Sequence, residues 1–149
     1  MKFLYVSLLF IVSLNSYSTQ SIGTYNNGRL EDAINITDIS ARLHKLYIKR
    51  NRLYTSRLMF EVLERLAFEL ELEYPNAEAL QIGDLSNKYG GKAYGHKSHQ
   101  NGLDADIAYL RHNHYIQSPL ARSWKESFVY KGKLTANFNL EANWEMFAK

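Results

Sequence analysis

The chain has 149 residues, no cysteine and a formal net charge of +3. This length is typical of one domain, and an apolar content of 46% is sufficient for a hydrophobic core, which excludes a disordered chain. The lack of cysteine excludes thiolate zinc sites, cysteine nucleophiles and disulfides. So small a positive charge gives no indication of a nucleic-acid partner.

The start of the chain has the pattern of a signal peptide. Lys2 supplies a positive charge, residues 3–14 are apolar, and residues 16–18 form a small-residue cleavage signal. We therefore predict that residues 1–18 are a signal peptide and that residues 19–149 form the mature domain. The apolar stretch is shorter than the roughly twenty residues that cross a bilayer, and no later segment is apolar enough to do so. The expected location is the periplasm, with no membrane span after cleavage.

The first half of the domain contains one clear helix. Residues 19–35 are polar and predict an extended arm with turns. Basic residues are dense in 42–57, which we interpret as a solvated helix face, with contact to an anionic envelope polymer as the alternative. Residues 56–73 predict a helix, because apolar residues recur at helical spacing after a serine cap. A short strand is expected at 79–82, followed by a long glycine-containing loop at 85–98.

A second strand is predicted at residues 104–109, where polar and apolar residues alternate. This alternation places Asp104 and Asp106 on one face, so that both carboxylates point into one cleft. Ile107 and Tyr109 lie on the opposite face and are expected to anchor the strand in the core.

The remainder of the chain completes an α+β pattern. Residues 111–123 are polar and irregular, residues 128–137 predict a strand and a turn, and residues 140–147 predict a helix that runs into the chain end. The expected fold is a small antiparallel sheet with flanking helices.

One short segment combines metal-ligand side chains at high density: His96, His99, Asp104 and Asp106. Imidazole and carboxylate are the ligands that a catalytic zinc ion accepts from a chain without cysteine. His99 leaves the loop, Gly102 permits a tight turn, and Asp106 returns from the predicted strand to the same point. Three roles remain open for His96: a third ligand of the same metal, a ligand of an additional metal, or a side chain that contacts the first ligands without binding metal. Asp104 is expected to orient a histidine or a backbone amide.

Three runs of sequence resemble a known family. They are Gly83-Asp84-Leu85-Ser86, Gly90-Gly91, and His96-x-x-His99-Gln100-x-Gly102-Leu103-Asp104-x-Asp106-Ile107. Together they resemble the penicillin-insensitive murein endopeptidases, which are zinc peptidases grouped with lysostaphin, the D-Ala-D-Ala peptidases and the hedgehog-like fold. The resemblance implies a hedgehog-like domain, His99 and Asp106 as zinc ligands, and hydrolysis of peptide cross-links in peptidoglycan by a zinc-activated water.

The resemblance also implies a later His-x-His motif that supplies the third zinc ligand and the general base. The chain has one such motif, His112-Asn113-His114, only six residues after Asp106. We interpret it as a solvent-facing loop, with a hairpin that returns it to the metal as the alternative. We therefore assign no catalytic residue and expect a domain that is incomplete at its C-terminus and at best weakly active. Lys131 and Leu134 fall at the positions expected for additional ligands, which predicts a single metal.

Two other functions remain open from the sequence. One is a non-catalytic, exported wall-binding protein that has kept half of the metal site. The other is a D-Ala-D-Ala carboxypeptidase or dipeptidase, which shares the spacing of His99 and Asp106 and cuts a different bond. A His-x-His encoded beyond Lys149 favours the endopeptidase over the wall-binding protein, and product analysis on muropeptides separates the two peptidases.

Overall fold

A computed structural model describes residues 18–124 and 126–148 of the chain. The predicted signal peptide, apart from Ser18, lies outside these described residues. Among the helices in the described ranges, none combines the length and apolar character that crossing a membrane requires. Helices and short strands are both present, which confirms the predicted α+β class.

Three α-helices and one 3₁₀ turn are described: α1 (Ile36–Ile39), the 3₁₀ turn (Ile48–Arg50), α2 (Arg57–Glu73) and α3 (Leu140–Ala148). Helix α2 begins where predicted, because the Ser56 hydroxyl accepts a hydrogen bond from the Met59 N–H at 3.2 Å and so caps the first turn. Leu63, Ala67 and Leu70 recur at helical spacing and are buried, so one face of α2 forms a wall of the core.

The described strands are short: β1 (Gln20–Thr24), β2 (Asn27–Glu31), β3 (Ile34–Asn35), β4 (His44–Lys45), β5 (Tyr54–Thr55), β6 (Gln81–Ile82), β7 (Val129–Tyr130) and β8 (Lys133–Leu134). They form four two-stranded sheets in the described part of the chain. The pairs β1–β2, β3–β5 and β7–β8 are antiparallel, whereas β4–β6 is parallel. The predicted single antiparallel sheet is therefore replaced by separate short pairs, and the hedgehog-like arrangement stays a prediction.

The second predicted strand is reduced to one bridge between Ile107 and Ile82. The Gly83 N–H donates to the Asp106 carbonyl at 2.7 Å, and the Asp106 N–H donates to the Asp84 carbonyl at 3.0 Å. The Ala108 N–H also donates to the Gln81 carbonyl at 2.9 Å. These three bonds hold the segment beside β6 without a longer ladder. Asp106 is thus placed by backbone bonds to the segment that follows β6.

Ile107 packs against the core as predicted, but Tyr109 does not. The Tyr109 side chain is 43% exposed and makes edge contacts with Phe128, Phe138 and Phe147, at ring-centroid distances of 5.7, 5.3 and 6.0 Å. The prediction that Tyr109 anchors a strand in the core is wrong, because its ring joins an aromatic cluster beside α3.

The core is continuous from α2 to α3 and has twelve buried members: Ile36, Leu43, Leu53, Leu63, Ala67, Leu70, Leu80, Ile82, Leu85, Leu110, Ala142 and Met146. Helix α3 is fixed to it through Asn143. The Asn143 amide accepts from the Leu110 N–H at 2.8 Å and donates to the Leu110 carbonyl at 2.9 Å. Both backbone polar groups of the buried residue Leu110 are thereby bonded to one side chain.

The basic stretch at 42–57 is not a helix face, contrary to its interpretation from the sequence. Before Arg57, the first residue of α2, it contains β4, the 3₁₀ turn and β5. Its arginines contact specific carboxylates. Arg42, for example, lies 3.4 Å from Glu64 and 3.1 Å from Glu71, both on α2. The charges in this stretch therefore contribute to tertiary packing.

The long loop after β6 is fixed at Gly90. This residue has φ +70°, and a Cβ there would lie 2.3 Å from the Gln100 carbonyl oxygen and 2.6 Å from the Leu30 nitrogen. The neighbouring Gly91 N–H donates to the same Gln100 carbonyl at 2.9 Å. Only glycine allows the loop to approach both β2 and the backbone after His99 so closely.

Gly90 and Gly91 provide a matched test of this contact. Gly91 has a similar φ of +72°, but a Cβ there meets nothing within 4 Å. We expect Gly91→Ala to cost about 1 kcal/mol of unfolding free energy, from the left-handed backbone alone. Gly90→Ala should cost about 2–4 kcal/mol, because forcing the backbone apart adds to that strain. Urea unfolding measures both, and equal costs would contradict the close approach.

Candidate metal centre

The three predicted metal ligands lie together. One ligand atom from each of His96, His99 and Asp106 falls within 4.8 Å of the others. His99 Nε2 is 3.3 Å from Asp106 Oδ1, and the two imidazole rings meet edge to face at a centroid distance of 4.8 Å. Two imidazoles and one carboxylate form a donor set that suits zinc and related divalent transition metals.

The environment of His99 and Asp106 favours a charged pair when no metal is bound. Burial disfavours the imidazolium of His99, but the hydrogen bond and charge of Asp106 outweigh it, so the pKa of His99 is raised. Burial also acts to raise the pKa of the Asp106 carboxyl, but His99 outweighs that effect and the pKa is lowered. A divalent cation that bound here would therefore compete with the proton on His99.

Residues 83–86, which follow β6, contact all three ligands. The Asp84 carbonyl accepts from the Asp106 N–H at 3.0 Å, and Asp84 Oδ2 lies 3.1 Å from His96 Nε2. The Ser86 hydroxyl donates to the His99 carbonyl at 2.8 Å. One four-residue segment therefore sets the relative positions of all three side chains.

Asp104 bonds to the backbone of His99. This contact agrees with the prediction that Asp104 orients a histidine or a backbone amide. His99 has φ +66°, in the left-handed region that residues with a side chain seldom adopt. Asp104 Oδ2 accepts a hydrogen bond from the His99 N–H at 3.2 Å. This bond stabilises the turn that directs the imidazole toward Asp106.

Two arginines bind Asp84 and were not predicted from the sequence. The Asp84 side chain is only 2% exposed, and its Oδ2 lies 2.8 Å from Arg50 Nη1 and 3.4 Å from Arg52 Nη1. The Arg50 guanidinium also lies over the Tyr47 ring, 4.0 Å from its centroid. The available signal was a carboxylate flanked by apolar residues, since a buried aspartate requires a cationic partner.

The nearby His-x-His does not join the metal cluster among the described residues. His112 and His114 are exposed, and His114 Nδ1 lies 3.4 Å from Glu78 Oε2, in a different cluster. Lys131 and Leu134 lie in the exposed β7–β8 hairpin. These positions support the interpretation of the His-x-His as a solvent-facing loop.

Asp106 faces an open cleft of about 450 Å³. Its walls are largely apolar and include Tyr47, Tyr109, Trp124 and Phe147. Because the Asp106 side chain is 47% exposed, a metal bound at its carboxylate can be reached from this cleft. Of the three candidate ligands, Asp106 lines this cleft and His96 and His99 do not. A candidate metal site with one ligand exposed to a cleft is compatible with a metal-dependent hydrolase.

Sequence comparison narrows this class to one family. A model of the family described as penicillin-insensitive murein endopeptidase matches residues 21–145. The chain therefore belongs to this family of peptidases, which confirms the resemblance seen in the sequence.

Two curated relatives carry the same description. The chain is similar to the penicillin-insensitive murein endopeptidase of Haemophilus influenzae, with 34% identity over 87 residues, covering 58% of this chain and 30% of that protein. It is also similar to the one of Pectobacterium atrosepticum, with 28% identity over 113 residues, covering 75% of this chain and 37% of that protein. The chain thus spans about a third of the length of these relatives.

The Asp84 contacts predict a large effect of one small change. Asp84→Asn leaves two guanidinium groups without their anion, and we expect unfolding to become easier by about 2–3 kcal/mol, because Arg50 keeps partial solvent contact. Zinc affinity should fall about 10–100-fold as His96 loses its support. The control Glu31→Gln removes an exposed pair with Arg29 and should cost below about 1 kcal/mol. Equal effects of the two changes would contradict the role of Asp84.

The His99–Asp106 pair predicts a pH dependence of the metal-free protein. Since the pKa of His99 is raised from 6.5, its contribution is complete below that pH and is lost as pH rises through the raised value. Since the pKa of Asp106 is lowered from 3.8, its contribution is complete above that pH and is lost as pH falls through the lowered value. In EDTA, His99→Gln should therefore destabilise more at about pH 5.5 than at about pH 9. A loss that is independent of pH would contradict the pairing.

Proposed function

We propose that this chain is a zinc metalloendopeptidase that hydrolyses peptide cross-links of peptidoglycan in the periplasm. His96, His99 and Asp106 are its proposed zinc ligands. The observation that carries the proposal is the convergence of these three donors within 4.8 Å, in a member of a murein endopeptidase family. Export through the predicted signal peptide would bring the enzyme to this substrate.

The donor count fits a catalytic site. Catalytic zinc usually holds three protein ligands and keeps a fourth position for water, and His96, His99 and Asp106 provide three. When bound, zinc polarises the scissile carbonyl and lowers the pKa of a bound water. Asp106 presents its exposed carboxylate to the cleft, while His99 is held from behind by bonds to Ser86 and Asp104. The chain thus fixes the ligands on one side and leaves the other side open.

The substrate proposal draws on the relatives and on the cleft. Both relatives are named as murein endopeptidases, and the cleft beside Asp106 is open and of a size that admits a short peptide. A carboxypeptidase needs the cleft closed at one end, and a wall-binding protein needs no metal. These two alternatives define the outcomes that the experiments must separate.

Metal binding is tested first. The parent chain should bind one equivalent of zinc, and His99→Ala and Asp106→Ala should each abolish tight binding, since each removes one of the two best-supported ligands. His96→Ala should weaken zinc binding less than either of these changes. An equal loss would show that His96 binds the metal as directly as His99 and Asp106 do. Metal analysis after dialysis measures the stoichiometry. His112→Ala is the matched control and should keep the parent's zinc content, whereas retention of zinc by the His99 and Asp106 variants would refute the site.

Activity is tested on purified sacculi. We expect slow, zinc-dependent conversion of cross-linked dimers to monomers, absent in EDTA and in His99→Ala. The rate should be low because His112 and His114 lie outside the cluster, and loss of a general base removes on the order of 10²–10⁴ in rate. Release of terminal D-alanine alone would favour the carboxypeptidase. Zinc binding with no cleavage would favour the wall-binding protein, and robust activity abolished by His112→Ala or His114→Ala would make the nearby His-x-His the second motif.

A further inference from the structure

The loop that leads into the metal ligands exposes an unusual set of side chains. Within residues 87–98, Tyr89 is 73% exposed and Tyr94 is 92% exposed. Three lysines of the same loop are also exposed: Lys88, Lys92 and Lys97. These residues, called the tyrosine–lysine loop below, include no aspartate or glutamate and no large aliphatic side chain.

The backbone of the tyrosine–lysine loop is held at several points. The Tyr89 carbonyl accepts from the Leu30 N–H at 3.0 Å. The Asn87 amide donates to the Lys92 carbonyl at 3.2 Å. The exposed tyrosines therefore stand on a fixed backbone, which lowers the entropy that a ligand must remove on binding. Rigid tyrosines among Gly, Ser and Asn are typical of recognition surfaces.

The loop is connected to the metal centre through Arg52. Arg52 Nη1 donates to the Tyr94 carbonyl at 2.9 Å and lies 3.4 Å from Asp84 Oδ2. The same Asp84 oxygen contacts His96 Nε2 at 3.1 Å. Tyr94 is thus linked to a candidate zinc ligand by three successive contacts, and the loop forms a rim of the centre.

We propose that the tyrosine–lysine loop binds the glycan strand of peptidoglycan together with the carboxylates of its stem peptides. Tyr89 and Tyr94 stack on the apolar faces of sugar rings, where their hydroxyls still reach water or sugar oxygens. Lys88, Lys92 and Lys97 pair with the peptide carboxylates. The inference rests on the proposed function for its choice of polymer and deepens it by naming the residues that hold the substrate beside the metal.

The side-chain chemistry favours this polymer over a membrane. An interfacial membrane segment typically places Trp, Phe or Leu side chains on one face, and the tyrosine–lysine loop has none of these three residue types. Stacking tyrosines and separated positive charges fit a ligand that combines sugar rings, whose C–H faces are apolar, with carboxylates on attached peptides. Peptidoglycan provides both groups in one covalent polymer.

Binding is measured with the full chain in EDTA, so that hydrolysis does not interfere. Purified sacculi are sedimented with the protein, and the bound fraction is titrated. We expect Tyr94→Ala to weaken binding about five- to tenfold, the effect of losing one aromatic contact. Replacing Lys88, Lys92 and Lys97 together by Gln should weaken binding and remove most of its salt dependence, because the contacts are solvent-exposed.

The β7–β8 hairpin offers a matched control. Tyr130 is 68% exposed, with Lys131 Nζ 5.3 Å from its ring centroid, much as Lys88 Nζ lies 5.4 Å from that of Tyr89. The double variant Tyr130→Ala with Lys131→Gln removes the same chemistry from another surface. We expect it to bind sacculi as tightly as the parent. Unchanged unfolding midpoints in urea show that all variants remain folded.

Three outcomes overturn the inference: full binding by Tyr94→Ala, an equal loss in the hairpin control, or tyrosine-dependent binding to anionic lipid vesicles that matches binding to sacculi. Failure of the proposed function looks different. Loop-dependent binding without zinc-dependent hydrolysis supports the surface and refutes the peptidase. Cleavage of soluble cross-linked muropeptides with loop-independent sacculus binding refutes the surface and leaves the peptidase intact.

Discussion

The buried carboxylate of Asp84 is the constraint on which the candidate metal centre depends. An ionised carboxylate loses several kcal/mol of hydration when it is removed from water, so it persists only with cationic or hydrogen-bonding partners. Asp84 Oδ2 has three, from Arg50, Arg52 and His96. Satisfying one buried charge therefore draws together the 3₁₀ turn, the segment before β5 and the loop that carries the candidate ligands His96 and His99.

Side-chain hydrogen bonds from Ser86 and Asp104 compensate for the lack of an extended sheet around the candidate centre. Isolated bridges and two-residue strands leave many backbone groups without ladder partners, and such groups must find other bonds when buried. The Ser86 hydroxyl bonds to the His99 carbonyl, and the Asp104 carboxylate bonds to the His99 N–H. His99 itself adopts the left-handed backbone region. Two side-chain hydrogen bonds thus fix the backbone of a candidate ligand that lies outside any strand.

Local signals in the sequence predicted the parts of the structure that depend on local interactions. Helix α2 was predicted because its cap and its apolar spacing lie within one segment. His99 and Asp106 were found because their spacing, with Gly102 between them, closes a short loop, and their convergence agrees with that reasoning. The predicted single sheet is wrong, because the strands form separate short pairs. Pairs such as His44 with Gln81 join residues far apart in the chain, and no local pattern indicates which residues will pair. Charge density alone likewise suggested a helix face, since nothing in residues 42–57 shows which distant carboxylate Arg50 will meet.

Arg52 links the tyrosine–lysine loop to the candidate metal centre. Its guanidinium contacts the carbonyl of Tyr94 on one side and the carboxylate that supports His96 on the other. A polymer held on the tyrosine–lysine loop would therefore lie next to Arg52, whose contact with Asp84 helps to position the candidate ligand His96. Hydrolysis requires the scissile carbonyl to lie within about 3–3.5 Å of the attacking group, and a substrate held by a mobile loop seldom reaches that geometry. Fixing the proposed binding surface and the metal ligand to one buried charge would set the distance between substrate and metal by the fold itself.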